Sequence, residues 1–593
     1  MEKIQITVIL TIKRVVDYIN IILYSPDKII KMKTKKGIRI TLLLTFVVLF
    51  FSYTLYAQQK KESLPNVIVV LADDLGPGDL SAYDDLDSLG CKCRVPTPAL
   101  DRLAASGMLF TRAHSSSALC APTRACILTG RHTRNVRAVW SMGSSVFKGG
   151  KKSLGDVMKA AGYYTGFIGK QHAGGTFWQR NSDKLLSKSE EWKWENIDNV
   201  DFERPIKDGL QEHGFDYSLG LIQGMQAPPF FFIHNGLPVQ MDEKTSQISP
   251  IRNATCKKQL RRWISGPHKD GKVWINIPGW GSTEWNTMLL PQQMCQHAIG
   301  FLDEVMSQHA QKPFFLYYCA LPVHVPHVPA KELSVTFPDT KNPKTLTFTI
   351  DGYDGSGPAK DDIGTKQMRM VNTLDCEVAT LLDYLDCTPD PRNPGKNLIE
   401  NTMIIFTSDN GGLRWGSGRA TPPEWTIYRH DPTSGLRDCK GSIWEGGHRV
   451  PFIVSWPGHV PKGMKSRQLI GTHDIMSSLM ALTKTQISGA GPDSYNMLPV
   501  FLGQQGDDKP IRPYLLVGYE GGHSSIHGDA YFEGDWKLVV NKHREVIGLY
   551  NLVIDPREEF DQAHGFKVRN GLLPEMYQRY AILRKFKHTD SEK

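Results

Sequence analysis

Two short polar segments carry residue types that bind a hard cation. Asp73-Asp74 follows the apolar run 67–72, and Ser408-Asp409-Asn410-Gly411-Gly412 follows the run 403–407. If the two runs are neighbouring strands, three carboxylates and an amide oxygen meet at their carboxyl ends, an all-oxygen set that suits calcium rather than zinc. Asp, Asn and Gly are also turn formers, so either segment alone reads as readily as a turn. A third segment, Cys120-Ala121-Pro122-Thr123-Arg124, opens a stretch that ends at Gly130-Arg131. Pro122 suits a first helical turn and Gly130 the residue after the last. Cys120 then sits at a helix N-terminus, where the dipole favours negative charge. A lone cysteine there reads equally as a buried, inert one.

The elements around these segments follow one pattern. From Asn66 onward, short apolar runs alternate with polar loops and helical stretches, which predicts an α/β domain with a largely parallel sheet flanked by helices. The expected strands are 67–72, 163–168, 314–320, 403–407 and 452–456. Between the third and fourth, Val371, Leu374, Val378, Leu381, Leu382 and Leu385 recur at spacings of three and four, an amphipathic helix whose apolar face belongs on the sheet. Functional loops in such sheets follow the carboxyl ends of the strands. Residues 176–300 break the rhythm and read as an insertion within a catalytic domain of 62–490. They hold seven of the thirteen tryptophans, more suited to packing inside the insertion than to stacking on sugars. In 491–593 the runs 514–517, 536–540 and 549–553 predict a smaller antiparallel-sheet subdomain closed by a C-terminal helix.

Residues 33–57 run from a basic cluster through an uncharged apolar stretch to Ala57, the layout of a secretory signal peptide. Met32 directly precedes it, so translation starting there would make 1–31 an upstream extension, and cleavage would begin the mature chain near Gln58. A membrane anchor is the alternative, although the stretch is short for a span. Residues 1–57 carry nine Lys/Arg and three Asp/Glu of a chain whose formal charge is +9, so the remainder stands near +3. That is too little, spread over too many residues, for a nucleic-acid partner. The expected setting is export to the periplasm or medium, with membrane contact only through an uncleaved N-terminus. Ten cysteines in an exported chain could form some disulfides, though no set has the paired spacing of a zinc site.

Cys-x-Pro-x-Arg followed by Thr129-Gly130-Arg131 resembles the signature of the sulfatase family, in which the cysteine is oxidised to formylglycine. The resemblance continues in order through residues 71–76, Gly162-Tyr163-Tyr164-Thr165-Gly166 with Gly169-Lys170, 312–316, His324-Val325-Pro326, 408–412 and 440–451. Residues 534–538 and 549–552 with Asp555-Pro556 are similar to the family's C-terminal subdomain. It implies an alkaline-phosphatase-like fold and a sulfuric ester hydrolase acting on a sulfated small molecule or, given export, a glycan. It also implies a maturation enzyme as partner. Asp73, Asp74, Asp409, Asn410 and the modified Cys120 would hold calcium, and Lys170 and Lys440 would neutralise sulfate oxygens. Arg124 would hold the formylglycine hydroxyl, and His172 would take the proton that lets sulfate leave. His324 would protonate the departing alcohol, with His327 of the repeated His-Val-Pro triplet as the alternative. The chain departs from the family at Gln171 and Ala173, where Trp and Leu are usual. Two rival readings are a phosphodiester or phosphonate ester hydrolase of the same superfamily and a sulfoglycan-binding protein without turnover.

Overall fold

The computed structural model describes residues 64–84, 86–88, 90–187, 190, 193–264, 277, 279–330, 332–337, 344–349, 363–414, 430–519 and 528–585. The segment read as a signal peptide lies outside them. The central sheet has eleven strands among the described residues. In chain order they are β1 (Asn66–Ala72), β2 (Met108–Phe110), β3 (Tyr164–Lys170), β4 (Tyr217–Leu221), β5 (Phe232–His234), β6 (Leu237–Met241), β7 (Ile248–Pro250), β8 (Phe314–Cys319), β9 (Thr402–Ser408), β10 (Phe452–Ser455) and β11 (Met464–Ser466). Their order across the sheet is β7-β6-β5-β4-β3-β8-β1-β9-β10-β2-β11. The five strands from β4 to β9 in that order are parallel. Antiparallel pairings extend both edges, with β11 added parallel to β2. The parallel centre is what matters for function, because it points five carboxyl ends the same way.

The centre is parallel because its strands are apolar on both faces. Ile68, Val70 and Ala72 of β1 join one core with Leu316, Tyr318, Ile404 and Phe406, while Val67, Val69 and Leu71 alternate to the other face and are equally buried. Helices α1 (Pro98–Ala105), α4 (Leu290–Gln308) and α5 (Ile363–Cys387) contribute to the first core. Helices α2 (Cys120–Thr129), α3 (Leu154–Ala160) and α6 (Ile475–Thr483) pack against one another. The predicted stripe of α5 is buried at every position from Val371 to Leu385, and truncating one of them, Leu374→Ala, costs about 2–5 kcal/mol. Within 176–300, β4–β7 widen the sheet. A separate small core also forms there from Phe177, Phe202, Phe231 and Trp280.

The C-terminal residues form an antiparallel meander of β12 (Tyr514–Tyr519), β13 (Gly528–Glu533), β14 (Trp536–Asn541) and β15 (Val546–Asn551). Alternation divides its side chains. Leu515, Val517, Phe532 and Val539 pack with Ile443 and Trp444. Leu516, Tyr531, Leu538 and Val540 pack with Met576 and Tyr580 of α7 (Leu572–Lys585), the expected closing helix. Strand β13 was not predicted, because Gly528-Asp529 reads as turn. None of the ten cysteines is paired in a disulfide, so the bridges that export allowed are not formed in this structure. Among the described residues no helix is long and apolar enough to cross a membrane.

Candidate active site

The residues singled out in the sequence meet at the carboxyl ends of the parallel strands. Asp73 and Asp74 follow β1, and Asp409 and Asn410 follow the adjacent β9. Lys170 ends β3, His172 lies two residues on, and His324 lies in the loop after β8. The two acidic turns are pinned to each other. Asp409 N donates to Ala72 O (3.2 Å), Asp74 N to Asp409 Oδ1 (3.2 Å), and Leu75 N to Ser408 Oγ (3.0 Å). Asp74 adopts φ +67°, the left-handed conformation that Asp tolerates better than most residues. The loop after β8 is tied in by Asp73 N to Pro322 O (3.1 Å) and Val323 N to Asp73 O (2.7 Å).

Cys120 is the first residue of α2, and the helix ends at Gly130 with φ +60°, donating from its N–H to Cys126 O. One turn into α2, Arg124 donates from Nε to Asp409 Oδ2 and from Nη1 to Lys170 O, both at 2.8 Å. Lys170 Nζ reaches Asp73 Oδ2 at 2.7 Å, and Lys440 Nζ reaches Asp74 Oδ1 at 2.5 Å. Asn410 Nδ2 donates to Asp74 Oδ1 (2.9 Å). Three carboxylates thus face three cations, nearly all sealed from solvent.

The pairing is nevertheless incomplete. Asp73 Oδ1, Asp74 Oδ2 and Asn410 Oδ1 are buried without a hydrogen-bond partner. A buried acceptor left so costs about 1–3 kcal/mol, and three in one place ask for a ligand. Oxygens of Asp73, Asp74 and Asp409 lie within 4.8 Å of one another, as do ligand atoms of Asp73, Cys120 and His324. The donor set is oxygen-rich and acidic, which fits a hard divalent cation.

The sulfatase family model matches residues 65–485. The chain belongs to the sulfatase family. It is 28% identical over 528 residues to an N-acetylgalactosamine-6-O-sulfatase of Bacteroides thetaiotaomicron, covering 84% of this chain and 89% of that one. It is 28% identical over 450 residues to arylsulfatase A of Bos taurus, covering 74% of this chain and 68% of the relative. A solved Bacteroides thetaiotaomicron sulfatase described under the metabolism of multiple glycosaminoglycans superposes with a TM-score of 0.63 at 26% identity. The match covers 88% of this chain and all of that one. This sulfatase is therefore a sulfuric ester hydrolase.

Burial and neighbouring charges shift the buried groups in different directions. Burial alone would raise Asp73, but Lys170, His324, Arg124 and Lys440 outweigh it and hold the carboxyl well below the usual range. Asp409 moves the other way, up to about 7, because burial and the charge of Asp73 exceed the help from Arg124. Burial draws His324 down to about 4 against the pull of Asp74. Burial, then Lys170 and Arg124, hold His172 well below the imidazole range. Burial also raises the Cys120 thiol despite Lys170 and Lys440 nearby. A protonated thiol is a poor nucleophile.

The two candidate imidazoles differ. His324 Nε2 faces Asp74 Oδ2 at 3.6 Å, with Nδ1 2.6 Å from Val325 O, whereas His327 Nε2 contacts Val323 O at 3.1 Å. Neither ring nitrogen of His172 has a hydrogen-bond partner, and its φ of +45° turns the chain just after β3. Gln171, where this sulfatase departs from its family, is buried with its side chain beside Gly220 of β4. Trp140, edge-on to His172 with ring centroids 5.7 Å apart, was not foreseen. The stretch around it has no periodicity, and nothing local marks it.

Proposed function

We propose that this sulfatase releases sulfate from a sulfated glycan, with residue 120 acting as formylglycine and calcium held by Asp73, Asp74, Asp409 and Asn410. The observation that carries the proposal is the set of buried oxygens without hydrogen-bond donors that converge beside a cysteine at a helix N-terminus. The glycan rests on the name of the Bacteroides relative and on the export expected from residues 33–57. A maturation enzyme would supply the aldehyde, since a buried, protonated thiol is not the nucleophile.

As formylglycine, residue 120 supplies a hydrated aldehyde, one hydroxyl of which attacks sulfur while the other lets the aldehyde re-form as sulfate leaves. Bound calcium supplies Lewis-acid polarisation of the sulfate oxygens. Lys170 and Lys440, already oriented by Asp73 and Asp74, neutralise the charge on those oxygens. Arg124, fixed by Asp409, orients the hydroxyl of residue 120. His172 accepts the proton of the second hydroxyl, a role suited to an imidazole kept neutral. His324 delivers a proton to the leaving alcohol. Its low affinity for protons rises when an anionic ester arrives beside it, because an opposite charge favours the imidazolium.

Mass spectrometry of the peptide 114–124 from active protein tests the nucleophile, with an aldehyde at residue 120 expected and a wholly unmodified cysteine excluding it. N-terminal sequencing tests export, with a start near Gln58 expected. Retention of residues 40–56 would favour an anchor instead.

A further inference from the structure

A cavity of about 530 Å³ lies beside the first turn of α2. Ser117 and Pro122 of the α2 entrance form one wall, Gly518 of β12 another, and residues between 133 and 148 the rest. Pro122 stands two positions from Cys120, and Trp140, which lines the cavity, meets the ring of His172. The wall is fixed to the loop that carries His172. Ser144 and Ser145 pair with Gly175 and Gly174, and Gly143 N donates to Gly175 O at 2.8 Å.

Three exposed residues of this lining bear on what it could bind. Trp140 is 42% exposed. Elsewhere, Trp280 is buried against Phe231, and Trp285 packs on Phe230 and Phe232. An exposed indole presents a rigid apolar plane with a polar edge, which fits the C–H face of a pyranose. Arg137 and Lys148 are also exposed and line the same cavity, and among the described residues neither takes part in an ion pair. Among the described residues, no Asp or Glu lines it. The volume falls in the range of small-ligand sites.

We propose that this cavity is a subsite for the sugar next to the sulfated one, that Trp140 stacks on its ring, and that Arg137 and Lys148 recognise an anionic group on it. This rests on the sulfate-ester reading of the neighbouring cluster. The ligand class is an oligosaccharide whose sulfated residue adjoins one bearing a carboxylate or a second sulfate. Both anions accept charge-assisted hydrogen bonds from guanidinium and ammonium groups, so binding chemistry is shared and the test separates the sources.

The test is calorimetry on the full chain with Cys120 unprocessed, in calcium buffer at low salt. Three disaccharides share one sulfated sugar and differ in its neighbour, which is a uronate, a sulfated sugar or a neutral sugar. The expected result is that at least one anionic neighbour binds about tenfold more tightly than the neutral one. The uronate and sulfate arms show which anion is read. In Arg137→Ala/Lys148→Ala that advantage disappears, and in Trp140→Ala all three bind more weakly by similar factors. All three side chains are exposed, so circular dichroism should confirm unaltered folds. Equal affinity for neutral and anionic disaccharides, or an advantage that survives the double variant, would overturn the proposal. Because binding is read without turnover, an anionic preference combined with no sulfate release by processed enzyme would sink the hydrolase reading and leave the subsite standing.

Discussion

Two of the buried clusters of acids, bases and imidazoles among the described residues are built to opposite ends. One is the candidate catalytic cluster at the strand ends. In the other, Glu445 Oε1 meets Lys537 Nζ at 3.0 Å, and its Oε2 meets His114 Nε2 at 3.2 Å and Arg449 Nη2 at 2.5 Å. Lys537 also reaches His448 Nε2 at 3.1 Å and Glu558 Oε1 at 2.7 Å. His114, Glu445 and His448 have the spacing of a metal site, yet the ammonium of Lys537 already sits against two of them. Both oxygens of Glu445 are therefore served by the chain itself. Lys537 lies on β14 of the C-terminal meander, so the closed network ties that sheet to the segment 445–449. The atoms left without a hydrogen-bond partner there are His114 Nδ1, His448 Nδ1 and Glu558 Oε1, the last already 2.7 Å from Lys537 Nζ, whereas in the strand-end cluster they are three converging acceptor oxygens of Asp73, Asp74 and Asn410. A network whose carboxylates meet the chain's own cations stabilises a docking surface, whereas converging acceptors without donors are tolerated where a ligand completes them.

Variants in each cluster should separate these roles. His324→Ala should reduce hydrolysis of a sugar sulfate by about 10²–10⁴-fold and of nitrophenyl sulfate much less, because the acid matters in proportion to the basicity of the leaving oxygen. Kinetics on both esters decide it, and a selective loss in His327→Ala instead would move the role three residues along. Lys440→Ala should cost both esters alike, by about 10²–10³-fold. In the closed cluster, Lys537→Ala should lower the free energy of unfolding by about 3–5 kcal/mol, since two buried carboxylates lose their shared cation, while turnover per folded molecule is retained. Denaturant titration with activity measured on the folded fraction checks this.

The smallest expected effect concerns pH. Burial, only partly offset by Lys537, raises Glu558 to about 7 in the folded chain, above the ordinary value near 4.5. The folded state therefore holds this proton more tightly than the unfolded chain does. Its contribution favours folding most below about pH 4.5 and declines as pH rises to about 7. Glu445, held well below its usual value by Arg449 and Lys537 against burial, acts in the opposite sense and below that window. Unfolding measured from pH 4.5 to 7 in excess calcium should show a shallower decline in Glu558→Gln than in the unaltered protein.

The elements that carry the site were legible because each combines two local signals. β1, β3 and β9 are apolar runs that end in polar clusters, with Asp73, Lys170 and Asp409 within one residue of the strand ends, and β8 is an apolar run followed by the His-Val-Pro loop. The α5 stripe and the Pro122 and Gly130 boundaries of α2 were equally local. β4–β7 were not legible, since runs such as Tyr217–Leu221 and Leu237–Met241 contain Gly or Pro and become strands by pairing with an existing edge. The pairing of Glu445 with Lys537 spans 92 positions and leaves no trace in either neighbourhood. Sequence put His324 ahead of His327 as the acid because it lies closer to the strand end, and the fold adds that His324 faces Asp74.

The difference between the clusters is tested most directly by calorimetric titration of metal-stripped protein with calcium. The account predicts a single ion bound per chain, with binding lost in Asp74→Ala and preserved in Glu445→Gln provided that variant remains folded. No binding to the unaltered protein, or binding that persists in Asp74→Ala and disappears in folded Glu445→Gln, would contradict the assignment of the open cluster as the cation site.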